Sequence, residues 1–220
     1  LLFALPAMLL IPVFASSFTV FKAAIPRLHP YTWDASLSAW DIALHGGKAP
    51  WEWLQPLLGH PLVTGLLNFS YHLWFFLFYA ILYWLILDTR RPLLRMQFLL
   101  SFALTWSALG SILAVLFASV GPCYYGHLHA SDPYAPLMAY LHDANQHVPV
   151  WALQVQDILW QDYQSKGAHG ELGISAMPSM HVATATLMVM LGWRVNRAAG
   201  IALSTFAVLI LLGSIHLGWH

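Results

Sequence analysis

The sequence predicts an all-α fold, a polytopic membrane helix bundle accompanied by shorter interfacial helices. Hydrophobic residues make up 59% of the 220 residues and charged residues only 8%, whereas a soluble domain carries about 25% charged residues. Apolar runs long enough to cross a bilayer recur along the chain. Eleven Trp and nine Tyr suit aromatic belts at the two lipid–water boundaries. We therefore expect residues 1–220 to form a single membrane-embedded domain.

Charge and cysteine content narrow the possible partners. Nine Lys and Arg balance nine Asp and Glu, so nothing indicates binding to nucleic acid. Cys123 is the only cysteine, and the sequence has no Cys/His cluster of the kind that holds structural zinc. We expect no metal site and no cofactor, with membrane lipids as the surroundings of the protein.

Five apolar runs predict five spanning helices, which cover residues 1–21, 62–87, 96–120, 177–193 and 200–220. A spanning helix needs about 20 apolar residues. The first run has neither a basic segment before it nor a cleavage site, so we expect a membrane helix and not a signal peptide. The last run breaks off at His220, so we expect the intact protein to continue beyond that residue.

Two polar stretches separate these runs. Residues 31–60 mix four Trp with charged residues, which favours short amphipathic helices at the interface with a break at Gly46–Gly47. Residues 127–175 contain five histidines and several carboxylates. The simplest interpretation of those carboxylates is a set of solvated loop or short-helix residues, namely Asp157, Asp162 and Glu171.

The arginines predict the orientation in the membrane. They concentrate in two short connections, at residues 90–95 and 194–197, and basic connections favour the cytoplasmic side. The stretch 127–175 is then outside, together with the start of the fourth run and the end of the fifth. We therefore expect a multi-pass membrane protein whose active site lies on the non-cytoplasmic side.

The start of the fourth run carries the first chemical motif, Pro178-Ser179-Met180-His181. Proline presets the first helical turn and serine caps it. The free N–H groups at such a start attract anions, and a histidine there can exchange a proton near neutral pH. An alternative is that Ser179 only caps a membrane helix and that His181 sits at the level of the lipid headgroups.

A second histidine segment ends the chain, with His216 and His220 one helical turn apart. Metal binding by this pair is one interpretation, but no carboxylate accompanies it, and a packed His216 is the simpler one.

The lengths of the fourth and fifth helices predict that His181 and His220 lie at different heights in the membrane. The fourth helix gives about 21 Å from His181 to the turn, and the fifth about 33 Å from the turn to His220. Tilt or a recessed helix start must absorb this difference, unless His216 is the partner of His181.

The two motifs resemble those of the phosphatidic acid phosphatase type 2/haloperoxidase superfamily. Pro178-Ser179-Met180-His181 is similar to its Pro-Ser-x-His motif, and Leu217-Gly218-Trp219-His220 to the segment around its last histidine. Residues 31–34 and 41–47 further resemble the branch of inositol phosphotransferases and inositol phosphorylceramide synthases. The resemblance implies about six membrane helices in the intact protein, by analogy of fold alone.

The resemblance also implies roles for particular residues. His220 would attack phosphorus and form a phosphohistidine, and His181 would protonate the leaving alkoxide. Ser179 and the helix start at Pro178 would hold the phosphate oxygens. The further substrate-binding residues that we expect are Tyr124, Asp34 and Asp41. The implied substrate is a phospholipid or lipid phosphate, and the implied activity that of a phosphatase or phosphotransferase.

Three departures from the family pattern concern charge. The family has a lysine before its Arg-Pro pair, and Trp84 occupies that position before Arg91-Pro92. Ser214 occupies a position at which the family has an arginine. The aspartate that the family has four residues after its last histidine would fall beyond the sequence, since His220 is the last residue. The cations left to hold phosphate are Lys22, Arg27, Lys48 and Lys166. A histidine-relay transporter and a catalytically inactive family member remain alternatives. The sequence decides neither between hydrolysis and transfer nor the lipid headgroup, and it indicates no oligomeric state.

Overall fold

The computed structural model describes residues 5–166 and 172–220, and these residues form helices and turns without a strand. This confirms the predicted all-helical fold. The α-helices in chain order are α1 (Leu5–Leu28), α2 (Asp34–Leu44), α3 (Pro50–Leu58), α4 (Pro61–Leu87), α5 (Pro92–Ser107), α6 (Ala114–Leu116), α7 (Tyr125–Leu128), α8 (Ala135–Ala144), α9 (Trp151–Lys166), α10 (Met180–Val195) and α11 (Arg197–His216). A π-helical turn, Ala108–Leu113, joins α5 to α6.

Within the described residues, four helical segments are long and apolar enough to cross a membrane: Leu5–Leu28, Pro61–Leu87, Pro92–Leu116 and Arg197–His216. The prediction of five was wrong in its count, because α10 has only 16 residues. That length gives about 24 Å of helix, less than the ~30 Å of a hydrocarbon layer. Ser179 caps its start and Asn196 ends it. α10 is thus a short helix that packs against α4, α5 and α11.

The polar stretches contain more helix than loop. Residues 31–60 form α2 and α3, and Gly46 and Gly47 between them have φ values of 70° and 88°, which glycine adopts without a side-chain clash. The predicted break at Gly46–Gly47 therefore lies between α2 and α3, at residues whose positive φ favours glycine. In the second stretch, Asp157 and Asp162 lie on α9, whereas Glu171 lies outside the described residues.

An aromatic core joins α1, α4 and α5. Phe78 of α4 packs on Phe102 and Trp106 of α5, with ring centroids 5.5 and 5.8 Å apart. Phe18 of α1 lies 4.6 Å from Trp106. Gly110 in the π-helical turn allows this approach, because a Cβ there would lie 2.6 Å from the Phe18 ring. These contacts hold α1 against the bundle at the level of the site described below.

The two arginine-bearing connections lie at the same end of the bundle. Arg194, in the last turn of α10, donates to the Gln97 side chain near the start of α5 at 3.0 Å. The start of α10 and the end of α11 lie at the other end of the bundle. This arrangement agrees with the relative placement expected from the distribution of arginines.

Candidate active site

The turn after α11 brings His220 back toward the helix end. α11 ends at His216, and Gly218 has a φ of 73° that allows the chain to reverse. The amides of Trp219 and His220 then both donate to the Ser214 carbonyl, at 3.0 and 3.2 Å. His220 therefore does not lie a further turn along the helix axis. This reversal reduces the height difference that the lengths of the two helices predict.

The turn is fixed from outside by a neighbouring segment. The Cys123 amide donates to the Gly218 carbonyl at 2.9 Å, and the Gln156 side chain donates to the Leu217 carbonyl at 2.9 Å. Gly121, with a φ of 90°, passes so close that a Cβ there would lie 2.8 Å from the Trp219 carbonyl oxygen. The position of His220 thus depends on the residues that follow α6 and on α9.

His181 lies in the first turn of α10, between two aromatic rings of α4. The Ser179 hydroxyl accepts from the Val182 amide at 3.4 Å and so caps the helix. The His181 ring stacks on Tyr71, with centroids 4.2 Å apart, and also lies 4.2 Å from the Trp74 centroid at a steeper angle. Packing of this kind restricts the rotation of the imidazole and fixes its direction.

His181 and His220 line one cavity of about 520 Å³, together with Lys22 of α1. Pro178 and Tyr124 also line it. Much of the remaining wall is apolar and aromatic, including Phe18, Phe75, Trp106 and Leu159. Two histidines that are 39 positions apart in the sequence therefore face the same space as a cation from the first helix.

Segment 172–176 brings α1 and α10 together at the cavity. Gly173 passes the backbone of Lys22 so closely that a Cβ would lie 2.4 Å from the Lys22 carbonyl carbon. The Ala176 amide donates to the Ser119 carbonyl at 3.0 Å. Ile174, buried at the cavity wall, accepts from the Tyr31 hydroxyl at 2.9 Å. The loop before the Pro-Ser-x-His motif therefore lies against the residue that supplies the cation.

His216 lies outside this cavity. Its ring is fully buried, and Nε2 shares a hydrogen bond of 2.9 Å with the Thr64 hydroxyl. Tyr140 contacts the ring edge-on, and its hydroxyl lies 2.8 Å from that of Thr64. No group of three or more His, Cys, Asp or Glu within the described residues has a metal-binding arrangement. The interpretation of His216 as a packed polar residue agrees with this placement.

Asp34 and Asp41, two of the predicted substrate-binding residues, are not among the residues that line the cavity. Asp34 is 4% exposed, and its carboxylate accepts from the Val120 and Gly121 amides at 3.0 and 2.9 Å. Burial raises the pKa of this carboxyl, while the two amides oppose the shift. Asp34 thus holds the segment that leads to the cavity, and Asp41 lies partly exposed on α2, outside the cavity lining.

The other predicted substrate residues lie at or next to the cavity. Pro178 lines it, and Ser179 is engaged as the cap of α10. Tyr124 lines it, and its hydroxyl donates to the Gln156 carbonyl at 2.9 Å. Sequence reasoning named Lys22 only as one of four possible cations, and it missed Tyr71 and Trp74. No local pattern marks these aromatic residues, because α4 is rich in aromatics from Phe69 to Trp84.

Fold and site together define a class of protein. It is an all-helical membrane protein in which a Pro-Ser-x-His helix start and a later histidine share a cavity. A family model described as the PAP2 superfamily matches residues 35–220. The chain belongs to the PAP2 superfamily. Lys22 and the whole of α1 lie before the matched residues.

Searches among curated proteins and among solved structures each found no match. The family match supports phosphoester hydrolysis of the phosphatase type in general. It does not distinguish the branch of inositol phosphotransferases, so that finer resemblance stays a prediction.

Proposed function

We propose that this protein is a membrane phosphatase or phosphotransferase that cleaves a lipid phosphoester through a phosphohistidine on His220. The observation that carries the proposal is the shared cavity, in which His181 and His220 meet Lys22. Membership of the PAP2 superfamily supports phosphoester chemistry in general. The individual roles below follow from the chemistry that two histidines and one cation can perform together.

In the first step, a neutral ring nitrogen of His220 attacks phosphorus. The new P–N bond forms as the bond from phosphorus to the ester oxygen breaks, and protonated His181 gives its proton to the departing alkoxide. In the second step, water or an alcohol attacks phosphorus and gives its proton to His181. The P–N bond then breaks, and both histidines return to their starting states.

One ring nitrogen of His220 bears on how the imidazole could be oriented. Nδ1 is buried and has no hydrogen-bond partner among the described residues. A nucleophilic histidine works best when a partner on one nitrogen fixes the tautomer and leaves the other nitrogen free to attack. Nδ1 is therefore the position at which an orienting carboxylate or carbonyl would act, as the family pattern implies for an aspartate.

Phosphate would be held by Lys22 and by the start of α10. The first amides of a helix have no partners within it, and the helix dipole favours an anion there. An ammonium group inside an apolar cavity interacts with an anion far more strongly than it would in water. Lys22 thus offers a substitute for the basic residues that this sequence lacks at the usual family positions.

The shape and lining of the cavity suit an amphiphilic substrate. The wall includes aromatic side chains of α1, α4 and α5, among them Phe18, Phe76 and Trp106. Phe75 and Phe76 are 54% and 73% exposed on the outer surface of α4, a helix long and apolar enough to span the membrane. An acyl chain can occupy this apolar part while the phosphate lies at the histidines.

Substrates with different leaving groups would separate the two histidine roles. Purified protein in lipid nanodiscs would be given phosphatidic acid and an aryl phosphate, whose phenolate departs without protonation. We expect His220→Ala to abolish turnover of both. We expect His181→Ala to impair the lipid ester severely and the aryl ester far less, because only the alkoxide needs a proton. Equal losses with both esters would contradict the assignment of His181 as the acid.

Product analysis would decide between hydrolysis and transfer. The same nanodiscs would be supplied with labelled phosphatidic acid or phosphatidylinositol, with and without an alcohol. Release of inorganic phosphate alone indicates a phosphatase, and a labelled phosphoester of the alcohol indicates a phosphotransferase. Acid-labile, base-stable label on the protein that is absent from His220→Ala would support the phosphohistidine.

We also propose that the site faces the non-cytoplasmic side, since the arginine-bearing connections favour the cytoplasm. Single cysteines at Arg91 and Ser165 would be tested with an impermeant maleimide in intact cells. Burial raises the pKa of the Cys123 thiol, so its reactive thiolate is scarce and the background is low. We expect label at residue 165 and not at residue 91, and the reverse pattern would contradict this orientation.

A further inference from the structure

The segment 31–34, which leads from α1 into α2, is bonded to residues that are distant in the sequence, although it does not line the cavity. The Thr32 and Trp33 amides both donate to the Ala118 carbonyl, at 3.3 and 3.4 Å. Ala118 begins the stretch 118–123, which we call the linker. The backbone of segment 31–34 thus holds the start of the linker.

Asp34 adds a charged acceptor to this contact. Its buried Oδ1 accepts from the amides of both Val120 and Gly121, at 3.0 and 2.9 Å, and Oδ2 accepts from Val120 at 3.1 Å. Hydrogen bonds to an ionised acceptor are roughly twice as strong as those between neutral groups. Glycine has the widest choice of backbone conformations, so an acceptor outside the linker helps to keep Gly121 at its φ of 90°.

The linker in turn holds the residues that precede His181. The Ser119 carbonyl accepts from the Ala176 amide at 3.0 Å, and the Ser119 hydroxyl accepts from the Met177 amide at 3.3 Å. These two amides come directly before the Pro-Ser cap of α10. The direction in which the chain enters α10 therefore depends on the linker.

The other end of the linker holds the turn that carries His220. The Cys123 amide donates to the Gly218 carbonyl at 2.9 Å. Gly121 lies so close to the next residue of the turn that a Cβ there would be 2.8 Å from the Trp219 carbonyl oxygen. A single linker is therefore bonded to the backbone before each of the two histidines.

Tyr31 makes a second connection from the same segment. Its hydroxyl donates to the Ile174 carbonyl at 2.9 Å, and Ile174 is a lining residue of the cavity in the loop before α10. This bond bypasses the linker. Segment 31–34 thus reaches the approach to α10 by two routes, one through the linker and one direct.

We propose that segment 31–34 positions both histidines of the site, with Asp34 as the main positioning residue and Tyr31 as a second one. Neither residue lines the cavity, so both act through the backbone that they hold. A displacement of about 1 Å in the reacting groups can lower a rate about 10²-fold. The effect on turnover rests on the function proposed for His181 and His220, whereas the placement of the two motifs does not.

Three variants remove these bonds in steps. Asp34→Ala removes the acceptor altogether. Asp34→Asn keeps one carbonyl oxygen, which can accept from both amides as Oδ1 does, and Tyr31→Phe removes only the hydroxyl. His216→Ala is the control for loss of stability away from the linker, and Asp143→Asn, at an exposed aspartate of α8, is the control for loss of a carboxylate.

Hydrogen exchange followed by mass spectrometry in nanodiscs tests the placement without any need for turnover, because it reports local opening. In Asp34→Ala we expect exchange about tenfold faster at the amides that join the linker to the two motifs, those of Cys123, Ala176 and Met177. Amides inside α4 and α11 should exchange as in the wild type, and Asp34→Asn should lie between the wild type and Asp34→Ala.

Two exchange patterns would overturn the proposal. One is acceleration confined to the two amides that Asp34 itself binds, since the linker would then transmit nothing to the motifs. The other is an equal acceleration throughout α4 and α11, since the carboxylate would then serve only general stability. His216→Ala and Asp143→Asn should leave the three joining amides unchanged.

Turnover tests the consequence for catalysis. We expect kcat for phosphatidic acid to fall about 10²-fold in Asp34→Ala, and Asp34→Asn to recover about tenfold of that loss. The aryl phosphate should lose less than the lipid ester, because it needs an aligned His220 but no acid. A smaller folded fraction would instead lower both rates equally. Tyr31→Phe should lower kcat for the lipid ester about two- to fivefold.

Wild-type kcat in Asp34→Ala, or equal losses with the two esters, would overturn the positioning role, and Asp34→Asn as slow as Asp34→Ala would overturn the role of the acceptor oxygen. If Asp34→Ala does not fold, Asp34→Asn and Tyr31→Phe provide both measurements, and wild-type exchange and kcat in both would overturn the proposal. A wild-type protein that cleaves neither ester contradicts the function proposed for the cavity, and hydrogen exchange then decides the placement by itself.

Discussion

Two histidines four residues apart at the end of α11 have opposite surroundings. His216 is fully buried, and its ring is bonded to Thr64 and flanked by Tyr140. His220 faces a cavity that it shares with His181 and Lys22. The difference arises at Gly218, where the chain reverses instead of continuing the helix. A spacing that predicts two side chains on one helix face therefore yields one packing residue and one residue available for chemistry.

The comparison is tested most severely by His181→Ala and His220→Ala. If His220 is the nucleophile, its loss should reduce phosphoester cleavage to the background rate, and loss of His181 should cost about 10² to 10⁴ in kcat for a lipid ester. Initial rates in nanodiscs, with protein amount and folding checked by gel filtration, provide the measurement. Retention of wild-type rates by either variant would remove that histidine from the mechanism.

The next largest effect is expected from Lys22→Met, which removes the cation from the cavity and preserves much of the side-chain volume. A hydrogen bond to a charged group contributes about 1.5–3 kcal/mol, so kcat/KM should fall about ten- to hundredfold. Orthovanadate, which can adopt the five-coordinate geometry of phosphoryl transfer, should inhibit the variant more weakly than the wild type. Lys22→Arg should keep part of kcat/KM and part of the inhibition by orthovanadate.

Lys48→Met is the matched control for Lys22. Lys48 is exposed, and its ammonium lies 5.2 Å from the centre of the Trp53 ring, outside the cavity lining. Its replacement should leave kcat/KM and vanadate inhibition unchanged. A loss equal to that of Lys22→Met would show that the effect is one of general charge and not of the cavity.

A smaller effect on the site is expected from the aromatic residues that hold His181. Trp74→Leu removes one of the two rings that pack on the imidazole. Aromatic contacts of this kind contribute about 0.5–1.5 kcal/mol, so kcat should fall about two- to tenfold. Trp74→Phe should restore most of the rate, since it keeps a ring at this position. No difference between Leu and Phe would argue that the ring contributes only volume.

The smallest effect on activity is expected from His216→Ala. This variant should keep most of the wild-type rate but lose about 1–3 kcal/mol of stability, because buried groups lose their partner. Thermal unfolding in detergent measures the second effect and initial rates the first. Metal chemistry makes the opposite prediction: equal loss of activity at His216 and His220, with inactivation by a chelator. We expect activity to persist in chelator.

The sequence by itself determined the fold class and the two motifs. Composition and apolar runs are enough for a membrane bundle, because lipid satisfies no backbone polar group and only helices or closed barrels can cross it. The Pro-Ser-x-His start is also local, since a proline and a capping serine fix the first turn of α10 from neighbouring residues. For the same reason, the glycine break between α2 and α3 was readable in advance.

Tertiary structure decided which residues form the site. The reversal at Gly218 depends on bonds from Cys123 and Gln156, which come from distant segments. Lys22 and His181 line the same cavity because α1 packs against α4 and α5. The spacing of apolar residues in the sequence does not indicate which helices pack together. Asp34 is an example of a polar residue in a suggestive motif whose carboxylate is bound by two backbone amides. Long-range contacts set these outcomes, because a residue's own neighbours in the sequence fix its helix but not what that helix faces.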